Sequence, residues 1–282
     1  MPSFAVSISL LGLVQAALVA LPSTLPPLPW GLGELRSRWW ALLPAMSIAL
    51  VVLFVNFYEG SATFLTYLAL VGVPPLAAGA LGWLVRGSRP AWGLAVVPLF
   101  VVAWAAVDTL GGEAAATALS GLGCITLGWL LVSLVPATWL RWGIYAMAAI
   151  DAWLVAGDLL QGPNSVLSAA APAADLPRLQ AVHFGSAAMG FGDLFAAALV
   201  GCLLATPAGG PRVSGREGFS VDRQLLGAAL VAVLALLFDL LFFAVDSLPA
   251  TVPVAVALAL VQWLRPPGDR ARGRPGRAPA GR

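Results

Sequence analysis

Lysine is absent, so all 15 basic residues are arginine; this reads as a GC-rich codon bias with no bearing on mechanism. Charge of either sign is scarce, at 10% of 282 residues, where a soluble domain carries roughly 25%. With 60% hydrophobic residues, a chain of this length has more apolar surface than a water-soluble fold can bury. The composition therefore predicts an integral membrane protein and argues against soluble enzyme folds and nucleic-acid partners. There are two cysteines, Cys124 and Cys202, both inside apolar runs, which suggests neither a disulfide framework nor a metal cluster. The single histidine, His183, makes no metal site by itself and is better read as a polar cap or a hydrogen-bond partner. No metal or other cofactor is expected.

What the chain has in abundance is long apolar runs, which predict helices and not barrel strands. Windows of about 17–25 residues fall at 4–22, 40–57, 62–85, 91–108, 115–136, 142–161, 181–205, 224–245 and 249–264. The prediction is an all-α, polytopic, nine-helix membrane domain over 1–264. Helices one to five occupy 1–137, six and seven 138–206, and eight and nine 224–264. An Arg-, Pro- and Gly-rich tail, 265–282, is expected to be disordered.

The arginines set an orientation. Arg36 and Arg38, Arg86 and Arg89, Arg141, the trio Arg212, Arg216 and Arg223, and six in the tail all fall on one side of the predicted spans. Only Arg178 falls on the other. By the positive-inside rule the N-terminus is outside and the C-terminus cytoplasmic. Trp39, Trp40, Trp83, Trp92, Trp139, Trp142 and Trp263 lie near the same ends, as an interfacial belt does. No positive segment precedes the first run, which argues against a cleaved signal peptide. The expected location is the cell membrane, with lipid as a partner.

Acidic residues deep in a bilayer are costly and are functional candidates by default. Asp151 lies about halfway along the sixth run, Asp193 halfway along the seventh and Asp239 two-thirds along the eighth, while Asp158 and Asp246 sit nearer ends. No arginine is placed mid-run to pair with them. For Asp239 alone, a structural hydrogen bond to a neighbouring helix is the favoured reading. Asp193 closes Gly190-Phe191-Gly192-Asp193, a GxGD tetrapeptide. Such glycines let another backbone approach and let the helix unwind beside the carboxylate. Two carboxyl groups facing each other across adjacent helices share a proton. One then takes a proton from water while the other polarises a carbonyl.

These motifs resemble the GxGD intramembrane aspartyl proteases, the presenilin and signal peptide peptidase family. The resemblance implies nine spans, catalytic aspartates in the sixth and seventh, and a Pro-Ala-Leu motif opening the ninth. The matching residues are Ile150-Asp151-Ala152-Trp153, Gly190 to Asp193, and Leu248-Pro249-Ala250-Thr251-Val252-Pro253. It implies catalytic roles for Asp151 and Asp193, and substrate contacts at Gly190, Gly192, Pro249, Ala250 and Thr251. In that reading Pro249 and Pro253 hold an extended edge against which an unwound substrate docks; the plain alternative is a helix start. The implied substrate is a membrane-embedded helix, signal-peptide-like or single-span. Two positions depart from the family: Ile150 replaces a tyrosine and Thr251 a leucine. The outside N-terminus and the short link between the aspartates resemble signal peptide peptidase more than presenilin.

Type IV prepilin peptidases are a second GxGD family. They resemble this chain in the seven-residue spacing Asp151 to Asp158 and in the small run Phe195-Ala196-Ala197-Ala198. They differ in placing further spans between their two acids, where residues 162–180 are too few for an added hairpin. A proton-coupled transporter using Asp151, Asp193 and Asp239 as a relay, and an inactive helix-binding protein, are the alternatives of another class.

Overall fold

The computed structural model describes residues 2–23, 26, 28, 32–58, 60–157, 159, 166, 169–170, 172–206, 217–243 and 248–264. It is mostly helical. Among the described residues the α-helices are α1 (Phe4–Ala20), α2 (Leu43–Phe57), α3 (Ser61–Gly79), α4 (Val96–Ala105), α5 (Leu110–Leu134), α6 (Ala137–Ala156), α7 (Phe191–Ala205), α8 (Glu217–Asp239) and α9 (Thr251–Trp263). A two-stranded antiparallel hairpin, β1 (Ala181–Phe184) and β2 (Ala187–Gly190), precedes α7 directly. Asp158, Asp246, Arg212, Arg216 and the tail 265–282 lie outside the described residues.

Two helical segments, Ser61–Leu84 and Leu110–Leu134, are long and apolar enough to cross a membrane. Phe4–Ala20, Pro90–Ala105, Phe191–Ala205 and Thr251–Trp263 are shorter apolar helices. Local chemistry explains several boundaries. Thr109 caps α5, its hydroxyl accepting the Gly112 N–H at 3.2 Å, and Pro136 separates α5 from α6. Pro74 and Pro75 lie inside α3; each lacks a backbone N–H. The segment continues past Gly79 as a π-turn, Ala80–Leu84.

The expected seventh span, 181–205, is the clearest departure. Its first ten residues form the hairpin, and only Phe191–Ala205 is helical. An apolar run of this kind carries no periodicity that separates a buried strand from a buried helix. The fold is therefore not purely α-helical. Asp193 stands in the first turn of α7 and not midway along a helix.

Helix α7 is the centre of the bundle. Leu194 and every residue from Ala196 to Ala205 are buried, as expected of a helix that is apolar all round. Helices α1, α5, α8 and α9 pack around it. Gly201 makes the α1 crossing possible: a Cβ there would lie 2.6 Å from the Leu18 carbonyl oxygen and 2.8 Å from Val19 Cα. Cys124 and Cys202 are buried and free, in keeping with the small core residues expected.

At one end of the bundle a polar clasp replaces apolar packing. Gln224 of α8 is 2% exposed, and its Nε2 donates to the carbonyls of Val19 at 2.8 Å and Pro22 at 2.9 Å. Its Oε1 accepts from Arg86 Nη2 at 2.6 Å, while Arg86 Nε donates to the Ala20 carbonyl. The clasp ties the C-terminal end of α1 to α8 and to the chain after α3. Gln224→Leu leaves the Val19 and Pro22 carbonyls without these bonds and Arg86 without its acceptor. The expected loss is about 1–3 kcal/mol, read as a lower unfolding temperature in detergent.

Candidate active site

Asp151, in the second half of α6, is 8% exposed. Its Oδ2 accepts from the Thr251 hydroxyl at 2.5 Å and from the Thr251 backbone N–H at 3.4 Å. Thr251 is the first residue of α9, and Ala250, its N-cap, has helical backbone angles. The Pro249–Pro253 segment is thus a helix start and not an extended edge, as suits proline, whose fixed φ matches a helix's first turn. Thr251, expected to face substrate, points at Asp151 instead.

Asp193 is partly exposed. Its Oδ2 accepts the Gly190 N–H at 3.1 Å, so a carboxylate at the third helical position reaches back to the backbone of the N-cap residue. Taken by itself, that bond is an ordinary helix cap. What lies beside it makes it more than that: Gln15 donates both to the Asp193 carbonyl and to the carbonyl of Ala250, next to the Thr251 that holds Asp151. The two acids predicted to face each other across helices six and seven are thus brought into one neighbourhood through Gln15 and Thr251.

The pair has an internal logic. In each residue Oδ2 is the oxygen held by protein donors. An oxygen already accepting from a hydroxyl and an N–H has no place for a proton of its own. A proton on Asp151 therefore belongs on Oδ1, whereas Asp193 Oδ2, with a single donor, keeps one lone pair free. Gly190 is exposed, so the approach to Asp193 is open along the hairpin edge. A shallow apolar groove of about 280 Å³ lies alongside, between α6 and α9, floored by Ala148, Ala152, Val252 and Val256.

The glycines of the motif work differently from expectation. A Cβ on Gly190 would stand 3.2 Å from Asp193 Oδ2, so this glycine leaves room for the carboxylate, not for another backbone. A Cβ on Gly192 would make ordinary contact with Met147 of α6, at 3.7 Å. Asp239 is not part of the pair. Its Oδ2 accepts from Ser9 of α1 at 3.2 Å, the structural role favoured for it. Ser9 precedes Gln15, which touches the Asp193 carbonyl, by six residues, about 9 Å of helix rise. His183 sits in β1, and its Nε2 has no hydrogen-bond partner among the described residues.

Two residues at the site escaped sequence reading in whole or part. Thr251 stands out in the sequence only through the resemblance, as a substrate contact, and its hydrogen bond to Asp151 is not foreseen there. Gln15 was overlooked, although an amide in an otherwise apolar run is the same kind of signal as a buried acid. In comparisons with protein families, curated proteins and solved structures, the chain finds no match.

Proposed function

We propose that this chain is an intramembrane aspartyl protease that hydrolyses peptide bonds in membrane-embedded helices, with Asp151 and Asp193 as general base and general acid. One observation carries the reading: Asp151 and Asp193, acids from different helices, lie in one neighbourhood linked through Thr251, Ala250 and Gln15, each with a single oxygen tied by a neighbouring donor. In the proposed orientation nine segments cross the cell membrane, with the N-terminus outside and the Arg-rich tail in the cytoplasm. The exterior supports a lipid environment, since Leu50, Phe57, Val71, Leu94 and Trp263 are all largely exposed. A soluble protein rarely leaves so much apolar surface uncovered.

The attack on the carbonyl needs two proton transfers, and the collapse that follows needs a further one to the leaving nitrogen. The ionised acid takes a proton from water as its oxygen attacks the scissile carbonyl carbon, and the protonated acid donates to the carbonyl oxygen. The gem-diol then collapses: a proton passes to the amide nitrogen, the C–N bond breaks, and a carboxyl and an amine are released. Because Asp151 Oδ2 carries two donors from Thr251, Asp151 takes the ionised role at the start and Asp193 the protonated one. A helical substrate hides its carbonyls in its own hydrogen bonds, so a stretch of it must unwind before water can attack. Gly190 and the end of β2, exposed beside Asp193, are where the unwound stretch would lie.

The test uses purified protein in liposomes and a synthetic peptide with one Leu/Ala span of about twenty residues, broken by Gly-Pro and labelled with fluorophore and quencher. Cleavage within the span, blocked by a statine-type transition-state analogue, is expected. An intact peptide together with aspartate-dependent proton flux would move the assignment to a transporter.

Thr251 offers a finer prediction. Thr251→Val keeps the shape and removes the hydroxyl from Asp151. Hydrogen bonds to charged groups are worth about 1.5–3 kcal/mol, so cleavage should slow by about 10- to 100-fold. Thr251→Ser, which keeps the hydroxyl, should retain most of the rate in the same assay.

A further inference from the structure

Gln15 lies in the second half of α1 and is 1% exposed. A carboxamide NH₂ carries two hydrogens, and here they divide between two separate parts of the chain. Nε2 donates to the Asp193 carbonyl at 3.4 Å and to the Ala250 carbonyl at 3.3 Å. One acceptor belongs to an acid of the pair. The other belongs to the residue before Thr251, whose hydroxyl holds the second acid. We propose that Gln15 is a positioning residue: it holds the start of α9 against the first turn of α7, and so keeps Thr251 on Asp151 while Asp151 faces Asp193. The inference rests on the protease reading above.

Three features support a positioning role over simple packing. Burying an amide in an apolar run is costly unless its donors are used, and both are used here at the same site. The two bonds are long, so neither anchors a helix by itself; their effect comes from one nitrogen spanning two helix starts that are far apart in sequence. The contact chain Gln15–Ala250–Thr251–Asp151 also has no shorter route from α1 to Asp151 among the hydrogen bonds of the described residues. Ser9, by contrast, uses its hydroxyl on Asp239, away from the pair.

The experiment is a double-mutant cycle on the full chain in liposomes, with the labelled Leu/Ala peptide. Gln15→Met preserves volume and removes both donors. It is expected to lower kcat about tenfold with KM nearly unchanged, a loss equal to one buried hydrogen bond to the site. Thr251→Val is measured beside it, and so is the double variant. If Gln15 acts through Thr251, the double variant is no slower than about threefold below Thr251→Val alone, because coupled residues are not additive. A purely packing role would instead lower the unfolding temperature and multiply the two losses in full.

Wild-type kcat in Gln15→Met, or full multiplication in the double variant, overturns the proposal. Should Gln15→Met not fold, Gln15→Leu takes its place in the cycle, since it too removes both donors; failure of both to fold assigns Gln15 to packing and also overturns it. Asp151→Asn and Asp193→Asn are run in parallel. If these cut at the wild-type rate, or the wild-type chain leaves the peptide intact, the protease reading falls and takes this inference with it. If they are inactive while Gln15→Met is normal, only the present inference falls.

Discussion

Asp193→Asn is expected to lower the rate of intramembrane cleavage by roughly a thousandfold or more, and Asp151→Asn by a similar amount. Asparagine matches aspartate in size, and its side-chain oxygen still accepts the Gly190 N–H that now reaches Asp193 Oδ2 at 3.1 Å. What it removes is the ability to hold or release a proton. The helix start and the packing of α7 are therefore kept, and the unfolding temperature of either variant should stay near that of the wild type. The double variant should be no slower than the worse single one, because groups acting as a unit fail together. Rates of peptide cleavage in liposomes, paired with thermal unfolding in detergent, separate lost chemistry from lost structure. Cleavage at the wild-type rate by either single variant would sink the paired-acid assignment.

Gly201→Val is expected to have a large effect on the fold. The added Cβ would meet the Leu18 carbonyl at 2.6 Å and Val19 Cα at 2.8 Å. These are backbone atoms of α1, which no side-chain rotation can move aside. Small residues at such crossings let helix backbones approach closely, and forcing them apart should cost about 3 kcal/mol or more. The damage extends beyond packing. Leu18 and Val19 lie just past Gln15 on the same helix, so displacing α1 also draws Gln15 from the Asp193 and Ala250 carbonyls. Stability and cleavage should fall together. Gly72→Ala is the control: nothing lies within 4 Å of a Cβ there, and alanine's higher helix propensity should leave stability unchanged or raised by about 1 kcal/mol. Equal unfolding temperatures for Gly201→Val and wild type would show that the α1–α7 crossing tolerates separation.

Much of the helical pattern was legible because apolar content is a local property. The expected runs at 4–22, 115–136 and 249–264 correspond to α1, α5 and α9 to within a few residues. The run at 181–205 failed for an equally local reason. Ala181 to Gly190 is mostly apolar and runs straight into the helix that follows, and pairing of Val182 with Met189 and His183 with Ala188 makes it a hairpin. Its docking is likewise non-local, since Glu113 at the start of α5 accepts the Gly185 N–H at 2.7 Å.

The site divided along the same line. Asp151 and Asp193 stood out because a charge in an apolar run needs a reason wherever the run ends up. Thr251 and Gln15 are ordinary polar residues whose meaning depends on what they touch.

Composition and the order of residues determined by themselves that the chain is rich in apolar helices and that its buried acids are candidates for chemistry. Hydrophobicity and charge belong to each residue before folding, so they can be read without coordinates. Tertiary structure alone decided that α7 begins beside the acid, that Thr251 is hydrogen-bonded to Asp151, and that Gln15 joins two helix starts. Those contacts connect helices far apart along the chain, and their hydrogen bonds exist only once the surrounding side chains have packed and fixed the distance between donors and acceptors.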